Sequence, residues 1–256
     1  LAAVLTPPPP GHSRLDPDTV VSPGSPEAAL RAAGAGVAAT EAVMHGEADV
    51  AFCAVRPPGH HATGDAAMGF CLFDNIAVAA AHALDRFGLA RVAVVDFDVH
   101  HGNGTQAIFE QDPRVLYLSS HQAALFPWTG AANERGAGNV VNLLLPAGAG
   151  SEAFRRGWRE QLLPALDEFA PQLLLVSAGF DGDRRDPLAQ LDLGPDDFGW
   201  LTTELCALAE RHAGGRMVSM LEGGYDLAAL GEGAVAHVGA LLGHSPAGAS
   251  DPQAGG

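Results

Sequence analysis

Six short apolar runs recur along this chain, spaced so that a helix fits between most of them. That alternation limits the fold more than any other feature. The runs cover residues 50–55, 92–95, 115–118, 140–144, 173–176 and 217–221. Runs so short and so largely apolar suit strands buried on both faces. Helical stretches at 76–87, 151–169, 195–212 and 227–242 separate several of them. Ser25-Pro26-Glu27 opens an earlier helix running to about His45, with Ser25 as N-cap and Pro26 at the first helical position. The pattern predicts an α/β protein: a single domain with a mostly parallel sheet flanked by helices on both faces. Residues 1–25, rich in Pro, Gly and Ser, are predicted to be loop, 26–242 the folded domain, and 243–256 a flexible tail.

Polar residues gather where the runs end. After 50–55 comes Arg56-Pro57-Pro58-Gly59-His60-His61, and after 92–95 comes Asp96-Phe97-Asp98-Val99-His100-His101-Gly102-Asn103-Gly104. Ser119-Ser120-His121, Ser177-Ala178-Gly179-Phe180-Asp181 and Glu222-Gly223-Gly224-Tyr225 follow three more. One such cluster is an ordinary turn. Five at strand ends describe a rim, because parallel α/β sheets bind ligands at the carboxyl ends of their strands.

In an extended segment residues two apart share a side, so Asp96, Asp98 and His100 point one way and Phe97 and Val99 the other. Two carboxylates and an imidazole after a buried strand need a counter-charge, and a divalent metal supplies one. Mixed N and O ligands without thiolate fit zinc, iron or manganese. Asp181, at a neighbouring strand end, is the natural third ligand. A helix cap would need one polar side chain, not three in register. The adjacent His60 and His61 offer imidazoles that titrate near neutrality and can move protons, with Asp96 and Asn103 available to set their tautomers. Tyr225 can place a phenol against a developing oxyanion.

The 14 basic residues, all Arg, face 30 acidic ones, for a formal charge of −16. That excludes a phosphate-backbone binding surface and suits a basic protein or polyamine substrate. The cysteines, Cys53, Cys71 and Cys206, lack paired spacing and read as core residues in a reducing compartment; the expected location is cytoplasmic. No apolar run reaches membrane-spanning length. Residues 1–5 lack the basic start of a signal peptide and run into four prolines, and the chain lacks an initiating Met, so it reads as a fragment.

Arg56 to His61, Gly69-Phe70-Cys71, Asp96 to Gly104, Ser177 to Asp181 with Asp186-Pro187-Leu188, and Glu222 to Tyr225 together resemble the zinc-dependent histone deacetylases. The likeness is strongest to the class II branch and its bacterial relatives, the histone deacetylase-like amidohydrolases, and covers roughly residues 25–242. It implies an arginase-deacetylase fold and zinc ligands Asp98, His100 and Asp181. It pairs His60 with Asp96 and His61 with Asn103, makes His61 the general base and acid and His60 an electrostatic partner, and sets Tyr225 to polarise the substrate carbonyl. It implies that the Gly69 backbone accepts the amide N–H, that Phe70 and Phe126 wall a tunnel for an acyl-lysine stem, and that Asp96, Asp98, His100 and Ser119 hold a potassium ion. The implied activity is removal of acetyl groups from acyl-lysine in a peptide or protein. Leu188 stands where polyamine-preferring relatives carry Glu, which favours a peptide over an acetylpolyamine. The family's N-terminal elements have no match, so the chain enters the domain part-way in.

Three other functions compete. An acetylpolyamine amidohydrolase would differ only in substrate. A binuclear manganese ureohydrolase-like enzyme would need another carboxylate soon after His100, where His101, Gly102 and Asn103 stand. A non-catalytic acyl-lysine binder would not need every catalytic side chain. Asp183, two residues past Asp181, adds a carboxylate next to the expected metal, and residues 128–138 around Trp128 fit no element.

Overall fold

The computed structural model describes residues 2–6 and 11–243; of the expected tail, residues 244–256 lie outside them. The elements are α1 (Ala2–Leu5), β1 (Ser13–Arg14), β2 (Val20–Val21), α2 (Ser25–His45), β3 (Val50–Cys53), α3 (Asn75–Phe87) and β4 (Val92–Asp96). Then follow α4 (Asn103–Phe109), β5 (Val115–Gln122), β6 (Val140–Leu145), α5 (Ser151–Gly157), α6 (Leu163–Phe169), β7 (Leu173–Ala178), α7 (Pro195–Ala213), β8 (Met217–Leu221) and α8 (Leu227–Gly243).

Six strands form one parallel sheet in the order β3-β8-β7-β4-β5-β6. Alternate residues of β4 feed opposite layers. Val92 and Val94 pack with Ile76 and Ala79 of α3, while Ala93 and Val95 pack with Phe154, Trp158 and Leu201 on the other face. Both faces are covered, which is why the strands read as continuous apolar runs. From β4 the chain moves outward to β5 and β6, then returns to β7 on β4's other side. The carboxyl ends of β4 and β7 therefore flank the point where strand order reverses, the crevice that ligands favour in open α/β sheets.

Several boundaries differ from the sequence-based expectation. The first run ends at Cys53, where Val55 N–H turns back to the Cys53 carbonyl. Strand β5 continues to Gln122, so Ser119, Ser120 and His121 lie inside it, and Ser177 lies inside β7. Ser25 is the first residue of α2 rather than its cap; Gly24 is the cap, and the Ser25 hydroxyl accepts from Ser22 N–H instead. The stretch 151–169 is not one regular helix. A wide turn at Trp158–Leu162 divides it, with Leu163 N–H reaching the Trp158 carbonyl five residues back. Pro164 explains the break, since it lacks an N–H and its ring crowds the carbonyl four residues earlier. Helix α4 went unread because it is short and lies among motif residues. The loop expected over 1–25 contains α1 and a two-residue antiparallel pair, β1 with β2, closed around Asp16, whose carboxylate accepts from Asp18 and Thr19 N–H.

Candidate active site

Strand β4 ends at Asp96, yet the alternation expected beyond it survives: Phe97 and Val99 are buried in the core, and Asp98 and His100 turn to the other side. His100 Nδ1 lies 3.0 Å from Asp98 Oδ1 and 3.1 Å from Asp181 Oδ2. All three residues are buried, and their ligand atoms lie within 4.8 Å of one another. Backbone holds the carboxylates in place. Gly223 N–H donates to Asp98 Oδ2 at 2.8 Å, and Val99 N–H donates to Asp181 Oδ1 at 2.9 Å. A side chain at Gly223 would clash: its Cβ would fall 2.1 Å from Asp181 Oδ2 and 2.6 Å from Asp98 Oδ2.

The electrostatics of this triad ask for a cation. Burial pushes Asp181 up to about 6, with Asp98 adding to the rise. Burial opposes charge on His100, but the Asp181 and Asp98 carboxylates outweigh it and raise the ring to about 10. Without an ion, one proton on His100 Nδ1 bridges two carboxylates. Ligands about 2.0–2.1 Å from a tetrahedral ion stand roughly 3.3 Å apart, close to the spacing seen. One imidazole nitrogen and two carboxylate oxygens suit a borderline divalent ion, so the residues fit the implied metal.

His60 and His61 stack with ring centroids 4.1 Å apart. His60 Nδ1–H donates to Asp96 Oδ2 at 2.9 Å, which also accepts from the Tyr117 hydroxyl at 3.1 Å. Burial resists protonation of His60, but Asp96, Asp98 and Glu222 together hold its pKa well above the usual value. His61 Nδ1–H donates to Asn103 Oδ1 at 2.8 Å. Burial, reinforced by the charge of His60, holds His61 well below the usual value, so it is neutral. With the proton on Nδ1, the lone pair is on Nε2, which has no protein partner among the described residues.

Tyr225 lies within reach of the charges of two triad carboxylates. Burial and the Asp181 and Asp98 carboxylates raise its phenol, which stays a neutral donor. The ring contacts Phe70 at 5.9 Å between centroids. Phe126 contacts His61 at 5.1 Å and His100 at 6.4 Å. Gly69 lies between rings: a Cβ there would come 2.5 Å from His61 Cδ2 and 3.0 Å from Phe126 Cε1. The Gly69 carbonyl accepts from the Cys71 thiol. Leu188 is exposed at 43%, and its N–H donates to Asp186 Oδ1, while Asp186 Oδ2 accepts from Tyr225 N–H at 2.7 Å. Ser119 is beside Asp96 in register, and its hydroxyl meets His121 Nδ1 at 2.9 Å.

Two residues have a larger part than their sequence context revealed. Glu222, buried at the end of β8, accepts from Gly59 and His60 N–H and from the Ser177 hydroxyl. It fixes the backbone that presents both histidines, and burial lifts its carboxyl to about 7. An acid directly after an apolar strand was the available signal. Asp186 couples Leu188 to Tyr225, and nothing in its spacing marks it. Asp183 does not face the triad. Its carboxylate takes two hydrogen bonds from the Arg185 guanidinium and one from the Arg185 N–H, all at 2.9 Å. His101 also turns away, toward Gln106 and Thr129.

The histone deacetylase domain family matches residues 5–241. A histone deacetylase-like amidohydrolase of Pseudomonas aeruginosa is 48% identical over 220 residues, covering 84% of this chain and 58% of the relative. Histone deacetylase 14, chloroplastic, of Arabidopsis thaliana is 42% identical, covering 84% of this chain and 53% of the relative. Polyamine deacetylase HDAC10 of Homo sapiens is also 42% identical, over 91% of this chain and 36% of the relative. The chain thus spans little more than half the length of the first two of these relatives. A crystal structure of the HDA15 HD domain superposes with a TM-score of 0.88 at 40% identity, over 96% of this chain and 71% of that one. A match over nearly the whole chain, on a fold shared with a solved relative, establishes that this chain belongs to the histone deacetylase domain family.

Proposed function

We propose that this chain hydrolyses the acyl–amine bond of acyl-lysine in a peptide or protein, with a zinc ion held by Asp98, His100 and Asp181. One observation carries the reading: a neutral imidazole, His61, keeps an unpartnered Nε2 while its ring lies 5.9 Å from that of His100 in the three-ligand triad. When bound, the ion supplies Lewis acidity, polarising the acyl carbonyl and acidifying a water. His61 Nε2 takes the proton of the attacking water, while Asn103 fixes the donor tautomer at Nδ1. Tyr225 donates a hydrogen bond to the oxygen on which charge develops. His61 then delivers its proton to the departing amine. His60, charged and paired with Asp96, keeps His61 neutral between turnovers. Phe70 and Phe126 line the approach for an aliphatic stem, and the Gly69 carbonyl accepts the substrate amide N–H. Asp96, Asp98, His100 and Ser119 are the proposed potassium ligands.

The triad is the sole metal-competent cluster among the described residues, which favours a one-metal hydrolase over a binuclear ureohydrolase. The exposed Leu188 beside Tyr225 favours a peptide over a polyamine, since it offers no carboxylate to a second ammonium group. The test is acetate release from an acetyl-lysine peptide and from acetylspermidine, each with and without a chelator. Chelator-sensitive turnover of the peptide is expected. Turnover of acetylspermidine alone would overturn the substrate class, and a folded, metal-loaded protein inert towards both would overturn the hydrolase reading.

A further inference from the structure

Two aromatic side chains at the site's mouth stand on backbone that disfavours them. Phe70 has φ 69° and Trp128 has φ 59°, in the left-handed region where bulky residues are rare. The fold also leaves both rings in water: Phe70 is 41% exposed and Trp128 76%. Strain of this kind persists where surrounding structure enforces it, and it gathers at ligand clamps. Phe70 is explained as a tunnel wall. Trp128 is not yet explained.

Its position is informative. His61, Phe126 and Trp128 form a ladder of edge-to-face contacts, 5.1 Å and then 5.7 Å between centroids. Along it the surroundings change from buried His61 through half-buried Phe126 to the open surface at Trp128. Phe126 is the only ring contact of Trp128 among the described residues, and its indole N–H meets no protein acceptor there. The Trp128 main-chain N–H closes a turn onto the Leu125 carbonyl at 2.8 Å, so the backbone under the ring is held. A substrate that brings its amide to His61 and its stem past Phe126 leaves the rest of itself beside this indole.

We propose that Trp128 is a specificity-determining residue that clamps the polypeptide flanking an acyl-lysine. This rests on the acyl-lysine reading above. An indole offers a flat apolar face for a peptide plane and an N–H for a peptide carbonyl. Phe70, whose ring meets that of Tyr225 edge to face, adds a second exposed apolar side chain, and Leu188, joined to Tyr225 through Asp186, adds a third. A mouth of this composition suits a chain with side chains and peptide groups better than a slender, multiply charged polyamine.

The test compares wild type, Trp128→Gly and Trp128→Phe on an acetyl-lysine peptide, on N-butylacetamide, which has the stem without flanks, and on acetylspermidine. Trp128→Gly is expected to raise KM for the peptide about tenfold with kcat little changed, and to leave kcat/KM for N-butylacetamide unaltered. The same variant should raise Tm by about 2–4 °C, because glycine accepts the left-handed backbone. Trp128→Phe should restore most of the peptide affinity. Equal effects on peptide and N-butylacetamide, or none on either, would overturn the proposal, as would an effect confined to acetylspermidine. Tryptophan emission separates this failure from failure of the hydrolase reading. Peptide binding should blue-shift the wild-type spectrum and not that of Trp128→Phe. A shift without turnover keeps the clamp and sinks the hydrolase; turnover without a shift or a KM effect sinks the clamp alone.

Discussion

The molecule stacks two histidine pairs within one polar layer at the carboxyl ends of its strands, and they behave differently. His60 and His61 stack at 4.1 Å, His101 and His121 at 4.8 Å. In the second pair every ring nitrogen is used. His101 bonds Thr129 and Gln106, and His121 bonds Ser119 and the Gly130 carbonyl. Burial lowers His101 to about 3, with the His121 charge adding to it, and lowers His121 to about 4. In the first pair, carboxylates keep His60 charged, and His61 keeps one nitrogen without a protein partner. His100 and His101 are adjacent in sequence and fall on opposite sides of this divide. On the proposed function, a histidine's neighbours, and the nitrogen they leave unused, decide whether it does chemistry or holds the fold.

The sharpest way to break the comparison is to delete one ring from each pair. His61→Ala should lower kcat by about 10²–10⁴-fold while costing only about 1 kcal/mol of unfolding free energy, for the one hydrogen bond it loses to Asn103. His101→Ala should do the reverse. Removing its ring takes one hydrogen bond from Gln106 Oε1 and one from Thr129, costing about 1–3 kcal/mol of stability, with kcat of the folded fraction near wild type. Steady-state kinetics beside urea unfolding reads both. If the two variants lose activity alike, the division is wrong.

A pH series sharpens it further. His101 and His121 have folded pKa values of about 3 and 4, below an unfolded value near 6.5. The stability they contribute is whole above pH 6.5 and is lost as pH falls towards 4, because the unfolded chain takes up their protons first. Each contributes a slope of up to about 1.4 kcal/mol per pH unit inside that window. His121→Gln should be less stable than wild type at pH 7, yet lose roughly 1–2 kcal/mol less on going to pH 5. Parallel losses in the two proteins would mean that His121 is not held neutral.

How much of this was legible in the sequence follows the same division. The six strands were legible because burial on both faces leaves short runs that are almost wholly apolar, broken only by Asn142 and Ser219. Two of the triad residues were legible because Asp96, Asp98 and His100 repeat at every second position, and that parity holds even though β4 stops at Asp96. The match of His61 to Asn103 and His60 to Asp96 came from the family likeness, and the distances agree. The His101–His121 pair was not legible. Its rings lie 4.8 Å apart through the pairing of β4 with β5 and a loop that returns at Gly130, and no local pattern reports such a contact. Helix α4 and the break near Pro164 were missed for a local reason: short helices and widened turns leave too few residues to show a period.

Asp183 offers the smallest effect and the finest test, because it is to Asp181 what His101 is to His100. From sequence alone it adds charge next to the triad and could alter metal preference. In the fold its oxygens receive Arg185 Nε and Nη2, and Arg185 also reaches Glu232 at 2.9 Å. Arg185 holds the Asp183 carboxyl below the usual carboxylate range, against the opposing effect of burial, which is the largest single influence. The charge is therefore already neutralised on the side away from His100. Asp183→Asn should leave metal stoichiometry, metal affinity and kcat unchanged. Arg185 is 37% exposed and keeps Glu232, so stability should drop by only about 0.5–1 kcal/mol. A competition titration with a chromophoric chelator reads the metal affinity directly. A shift of tenfold or more would show that Asp183 acts on the triad through the Asp181 backbone, and that direction of pairing is too simple a rule for telling site residues from their neighbours.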